Sequence, residues 1–145
     1  MAKVISIDPG MYKCGFILAD IKQKKILKAE VIQSSCLVTT VKKNFNKKEK
    51  IELLLGNGTS CDKYIKDLDE FIPKLILVEE KNSTMRAKKR YFDIFPLKGL
   101  KCFLPREIFL LNKNLDALAA LIIMEDHYNC KFQISNLINT KTWLK

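Results

Sequence analysis

The amino-acid sequence predicts an α/β protein with a five-stranded mixed sheet and helices on its faces, on three observations. Short apolar, β-branched runs separated by turn residues fill the first third of the chain. From Ile51 onward, apolar runs alternate with segments of helical periodicity, and a strand–helix–strand crossover of that kind demands parallel strands. The chain has 145 residues, enough to bury one hydrophobic core and too few for two domains of ordinary size.

Each element follows from local chemistry. Residues 3–7 are apolar and β-branched, and Asp8, Pro9 and Gly10 after them are turn formers. A second strand is expected over 14–19, a polar turn over 20–25 and a third strand over 26–33. Ser34 and Ser35 can cap a helix reaching roughly Asn46, although Val38, Thr39, Thr40 and Val41 are mediocre helix formers. Residues 51–55 read as a buried strand ending in the glycine-containing loop 56–59. Over 60–72, Tyr64, Ile65, Leu68, Phe71 and Ile72 share one helical face, and Pro73 stops that helix. Residues 75–78 form a fifth strand ending at Glu79 and Glu80, followed by a helix over about 83–94. Pro96, Gly99 and Pro105 break up 95–114, where 101–104 is expected as a strand or turn, and a final helix covers 115–127. Residues 1–130 make a single domain, and 131–145 are expected as a loose or strand-like tail.

The charge is lopsided. Lys and Arg number 26 against 16 Asp and Glu, a formal net charge of +10. Such an excess attracts polyanions and favours phosphate contacts by counterion release, so nucleic acid leads the expected partners, with a merely solvated Lys-rich surface as the alternative. Five cysteines are scattered without a Cys-x-x-Cys pair and with a single histidine, His127. That is poor material for a zinc site or a disulfide framework, and it fits reduced, buried thiols in a cytoplasmic protein. No secretory signal opens the chain and no apolar run is long enough to cross a bilayer; even residues 115–124 are interrupted by Asp116. A cytoplasmic protein without a membrane partner is expected.

The carboxylates carry the chemistry. Ligands of open sheets sit beyond the carboxyl ends of parallel strands. Asp8 ends the first strand, residues 56–59 follow the fourth and Glu79 and Glu80 end the fifth, while the last helix can bring Asp116 to the same edge. Crowded carboxylates repel unless a cation or a raised pKa compensates, and oxygen ligands without Cys or His suit Mg²⁺ or Mn²⁺. Two such ions can activate a water and stabilise the leaving oxygen of a phosphodiester. Taken singly, Asp8-Pro9-Gly10 is equally a tight turn, and Asp116 equally a residue favouring the helix dipole.

Taken together and in order, these segments look familiar. Ile5 to Gly15, with Asp8, Gly10, Lys13 and Gly15, resembles the first motif of the YqgF and RuvC-like domains. Residues 55–59 are similar to the glycine-containing loop after the fourth strand of YqgF-type domains. Val78 to Thr84 is similar to the family's acidic-Glu-basic stretch, and residues 116–120 match the aspartate and small residues of its last helix. The resemblance implies an RNase H-like fold with strand order 3-2-1-4-5, three antiparallel strands and then two parallel ones. It also implies metal-dependent endonuclease action on structured RNA or branched DNA. The family roles are processing of the small-subunit (16S) ribosomal RNA precursor and resolution of Holliday junctions.

Carried over by that resemblance, Asp8, Glu80 and Asp116 form the catalytic set and hold the metal, with Glu79 as a possible further ligand. Lys13, Asn57, Thr59, Thr84, Arg86 and Arg90 are the expected nucleic-acid contacts, Arg86 and Arg90 lying four residues apart on one helical face. A monomer or weak homodimer is expected. The competing class is a catalytically inactive nucleic-acid or protein binding module of the same fold. Phosphotransfer of the actin and sugar-kinase type is disfavoured by length, and dinucleotide redox chemistry by the lack of a Gly-x-Gly-x-x-Gly after any strand.

Overall fold

One mixed sheet separates two hydrophobic clusters, each covered by helices. The computed structural model describes residues 2–45, 49–58, 60–70, 72–79, 83–111 and 113–134. Its strands are β1 (Ala2–Asp8), β2 (Lys13–Asp20), β3 (Lys25–Gln33), β4 (Lys50–Gly56), β5 (Leu75–Val78) and β6 (Gln133–Ile134). Its helices are α1 (Leu37–Asn44), α2 (Asp62–Asp69), α3 (Ser83–Ile94) and α4 (Asp116–His127). Short 3-10 turns cover Ser34–Cys36, Gly99–Phe103 and Arg106–Leu110. The second of these stands where a strand or turn was expected at 101–104.

The sheet order is β5-β4-β1-β2-β3-β6. The first three strands pair antiparallel, and β4 pairs parallel with both β1 and β5. The sheet therefore has six strands rather than the five expected. The extra one, β6, comes from the segment assigned to a tail and pairs parallel with β3 outside the expected order. Phe132 just before it is buried, so 131–134 belong to the fold. Two residues of strand carry too little periodicity to be read from sequence.

Strand alternation divides the core. Ile5, Ile7, Phe16, Leu53 and Leu55 face the side covered by α1 and α2, where Leu37, Val41, Tyr64 and Leu68 meet them. Val4, Ile17, Ala19 and Leu54 face the other side, against α3 and α4. Helix α4 is apolar all round because it is enclosed all round: residues 117–125 are buried, with the sheet beneath and α3 alongside.

Small residues let α4 approach the sheet closely. The Ser6 hydroxyl donates to the Ala120 carbonyl at 2.7 Å, and the backbone of Asp116 lies directly on Gly15. Four helical residues rise about 6 Å and two strand residues about 6.6 Å, so these two anchors are in register and α4 runs back along β1 from its carboxyl end. At the other end of α4, Glu125 binds Arg90 of α3 and accepts from the Phe132 backbone N–H at 2.9 Å, while Tyr128 donates to Glu52 at 2.6 Å. No helix among the described residues is long and apolar enough to cross a membrane. None of the five cysteines forms a disulfide, but only Cys14 and Cys61 are buried; Cys36 and Cys102 are exposed, against the expectation of buried thiols.

Candidate active site

The carboxyl ends of β1, β4 and β5 lie side by side, because the strands are parallel and paired to within a residue of their ends. Ile7 pairs with Leu55 and Gly56 with Val78. The Asn57 N–H donates to the Val78 carbonyl at 2.8 Å and carries the pairing one step further. Asp8, Asn57 and Glu79 therefore emerge at one edge of the sheet, Asp8 half-buried and the other two exposed.

Asp8 pairs with Gly15 across the β1–β2 ladder, and by alternation it shares the face of Val4 and Ser6, the face that α4 covers. On that face the first turn of α4 sits against Gly15. A side chain there would come within 1.8 Å of the Asp116 carbonyl oxygen and 2.9 Å of the Ala117 nitrogen. Gly15 is thus required for close approach of a helix, not for an unusual backbone angle. Two links of about 5 Å each, Asp8 to Gly15 and Gly15 to Asp116, put the two carboxylate-bearing residues within about 10 Å of each other.

Local contacts fix both. Asn114 accepts a hydrogen bond from the Asp116 N–H at 3.1 Å and holds the start of α4. Burial pushes the Asp116 carboxyl above its usual range, against the opposing effects of Asn114 and of the Lys13 charge. Lys13, exposed at the start of β2, is therefore close enough to act on Asp116. The turn between β1 and β2 is tied down from outside: Ser34 donates through its N–H to Tyr12 at 2.9 Å and through its hydroxyl to Met11 at 2.8 Å. Beneath it the Cys14 thiol contacts the Gly10 carbonyl and the Tyr64 hydroxyl, and burial raises its pKa, with Asp8 adding to the effect.

Of the remaining expected site residues, Glu80 and Thr59 lie outside the described residues. Thr84 is exposed in the first turn of α3. Among the described residues no three His, Cys, Asp or Glu side chains group closely enough to hold a metal, Glu80 not being one of them. Asp8 and Asp116 supply two oxygen donors on one face of one edge, a donor type that suits Mg²⁺ or Mn²⁺.

The two arginines make ion pairs within the protein. They do share a face of α3, but that face meets the far end of α4. Arg86 makes a bidentate ion pair with Asp126. Arg90 grips Glu125 through Nε at 3.1 Å and Nη2 at 2.8 Å, and donates to the Phe132 carbonyl at 2.9 Å, with its side chain 12% exposed. Asp126 stands ten residues, about 15 Å, along the helix from Asp116. The guanidinium of Arg90 is turned into the protein, where it joins α3, α4 and β6.

Sequence reasoning missed the anchors of α4, Ser6 and Asn114. The one available signal for Ser6 was a polar residue inside an otherwise apolar run. A scan of the chain against protein-family models finds no match, and neither does a comparison with curated proteins.

Proposed function

We propose that the chain is an RNase H-like, divalent-metal-dependent endonuclease that cuts phosphodiester bonds of structured nucleic acid, with Asp8, Glu80 and Asp116 as its metal-holding carboxylates. One observation carries the reading. Asp8 at a parallel strand end and Asp116 in the first turn of α4 flank the same glycine, Gly15, on the same face and edge of the sheet. Crowded carboxylates repel unless a cation or a raised pKa compensates, and a cation shared by Asp8 and Asp116 is the compensation this reading supplies.

When bound, Mg²⁺ or Mn²⁺ supplies an activated water and neutralises charge on the leaving oxygen. The residues of the chain position that chemistry. Ser6 anchors α4 to β1 and Asn114 holds its first turn, and the pairing of β4 with β5 fixes Asn57 and Glu79 at the rim. Lys13 places a cation beside the carboxylates, where a substrate phosphate would otherwise meet only negative charge. The net charge of +10 supplies sequence-independent affinity for a polyanion, and the cytoplasm is the compartment this reading implies.

The test is a cleavage assay on a small-subunit ribosomal RNA precursor fragment and on a four-way DNA junction, each with Mg²⁺, Mn²⁺ or EDTA. Metal-dependent cleavage that Asp8→Asn abolishes is the expected result. Tight binding of both substrates with no cleavage under any metal would instead identify a catalytically inactive binding module.

A further inference from the structure

An open cleft of about 570 Å³ lies between α3 and the segment that leads into α4. Lys88 and Lys89 stand on one wall, Arg106 and Lys113 on the other, and Glu107 is the single carboxylate among the described lining residues. All four cations are exposed, and none is paired with a carboxylate among the described residues. The rest of the lining is apolar. Met85 and Leu111 are 72% and 76% exposed, with Phe92 and Leu115 beside them. The Arg106 guanidinium lies 5.3 Å from the centre of the Phe92 ring, a planar cation already seated on an aromatic face.

Leu115 directly precedes Asp116, so the cleft reaches the start of α4. Facing rows of cations call for a polyanion, which charge complementarity identifies as nucleic acid. A duplex would satisfy the cations but sheathe its bases, leaving the apolar floor wet, and a cleft of this size cannot seat one. A single strand offers both matching surfaces: phosphates for the rim, and base faces for Met85, Leu111 and the guanidinium of Arg106.

We infer that this cleft holds an unpaired stretch of the nucleic-acid substrate and leads it to Asp8 and Asp116. The destination rests on the nuclease reading above; the binding does not. On that reading, cleavage falls where structured nucleic acid exposes a single-stranded segment.

The experiment measures binding in EDTA, by fluorescence anisotropy, of labelled oligouridine and oligothymidine and of a hairpin duplex with the same number of phosphates, across a salt series. Single strands are expected to bind roughly tenfold or more tightly than the duplex, about the effect of stacking one or two bases. Lys89→Ala combined with Arg106→Ala should reduce the salt slope for single strands by about 1.4, roughly 0.7 for each phosphate contact. Leu111→Ser should weaken single-strand binding roughly fivefold with the slope unchanged. These positions are exposed, and unchanged melting of each variant confirms that it folds. Equal affinity for the duplex, an unchanged slope, or preference for an acidic amphipathic peptide over any oligonucleotide overturns the inference. Single-strand preference without metal-dependent cleavage upholds the cleft and removes the nuclease reading; cleavage without that preference does the reverse.

Discussion

Replacing Gly15 by Ala tests the architecture of the site most directly, because the added methyl group has nowhere to go. It would stand 1.8 Å from the Asp116 carbonyl oxygen, 2.3 Å from its carbon and 2.9 Å from the Ala117 nitrogen. Carbon contacts are comfortable from about 3.5 Å, so the first turn of α4 must lift by roughly 1.5 Å. The obstructing atoms are backbone, and no rotamer change can relieve them. Overpacking of this kind costs about 1–3 kcal/mol, and strain on the Ser6–Ala120 hydrogen bond adds up to about 1 kcal/mol. The stiffer unfolded chain returns about 0.4–1 kcal/mol. The net expectation is a loss of about 2 kcal/mol, or roughly 6 °C in melting temperature.

Gly99→Ala is the control. Its φ of +63° strains any side chain, yet nothing lies within 4 Å of the new methyl group, so only about 1 kcal/mol is lost. Circular dichroism melts compare the two, and cleavage under single-turnover conditions adds a second readout. Displacing Asp116 by an ångström or more should lower cleavage about 100-fold in Gly15→Ala, while Gly99→Ala cuts at the parent rate. A Gly15→Ala protein that melts at or above Gly99→Ala and cleaves normally would refute the contact between α4 and β2 on which the site is built.

Arg90→Ala should cost about 3 kcal/mol or more in urea denaturation, since it strands the buried Glu125, whereas Arg86→Ala, with an exposed pair, should cost less than about 1 kcal/mol. Neither should change the salt slope of nucleic-acid binding; a flatter slope in Arg90→Ala would restore its phosphate role. Asp8→Asn should abolish cleavage while leaving affinity equal or higher, because it removes negative charge beside the phosphate; joint loss of binding in a folded variant would count against that division. Lys74 and Tyr128 hold the Glu52 carboxyl below its usual range by hydrogen bonding. A lowered carboxyl contributes stability above its unfolded pKa, and that stability fades as pH falls through the folded value. Tyr128→Phe should therefore cost about 1 kcal/mol near neutrality and progressively less below roughly pH 4; a pH-independent difference would exclude the coupling.

The order of the first five strands and the four helices was written in the sequence, because these elements carry their own periodicity and turn signals. Pro73 keeps a helix from running on into β5, although α2 itself ends earlier, at Asp69, and a β-branched run such as 3–7 favours a strand where one face is buried. Asp8 could be set at a strand end on the same grounds, and Asp116 in the first turn of a helix. What the sequence could not decide was which long-range pairs meet. Gly15 is a glycine because a helix 101 positions later lies on it, and no local pattern records that contact. Arg86 and Arg90 share a helical face in sequence and in structure alike, but whether that face meets phosphate or the carboxylates of Asp126 and Glu125 depends on how α3 packs on α4. The short β6 and the cleft between Lys88, Lys89, Arg106 and Lys113 belong to the same class. Periodicity is a property of neighbours along the chain, whereas these features arise only when tertiary packing joins segments that are distant in it.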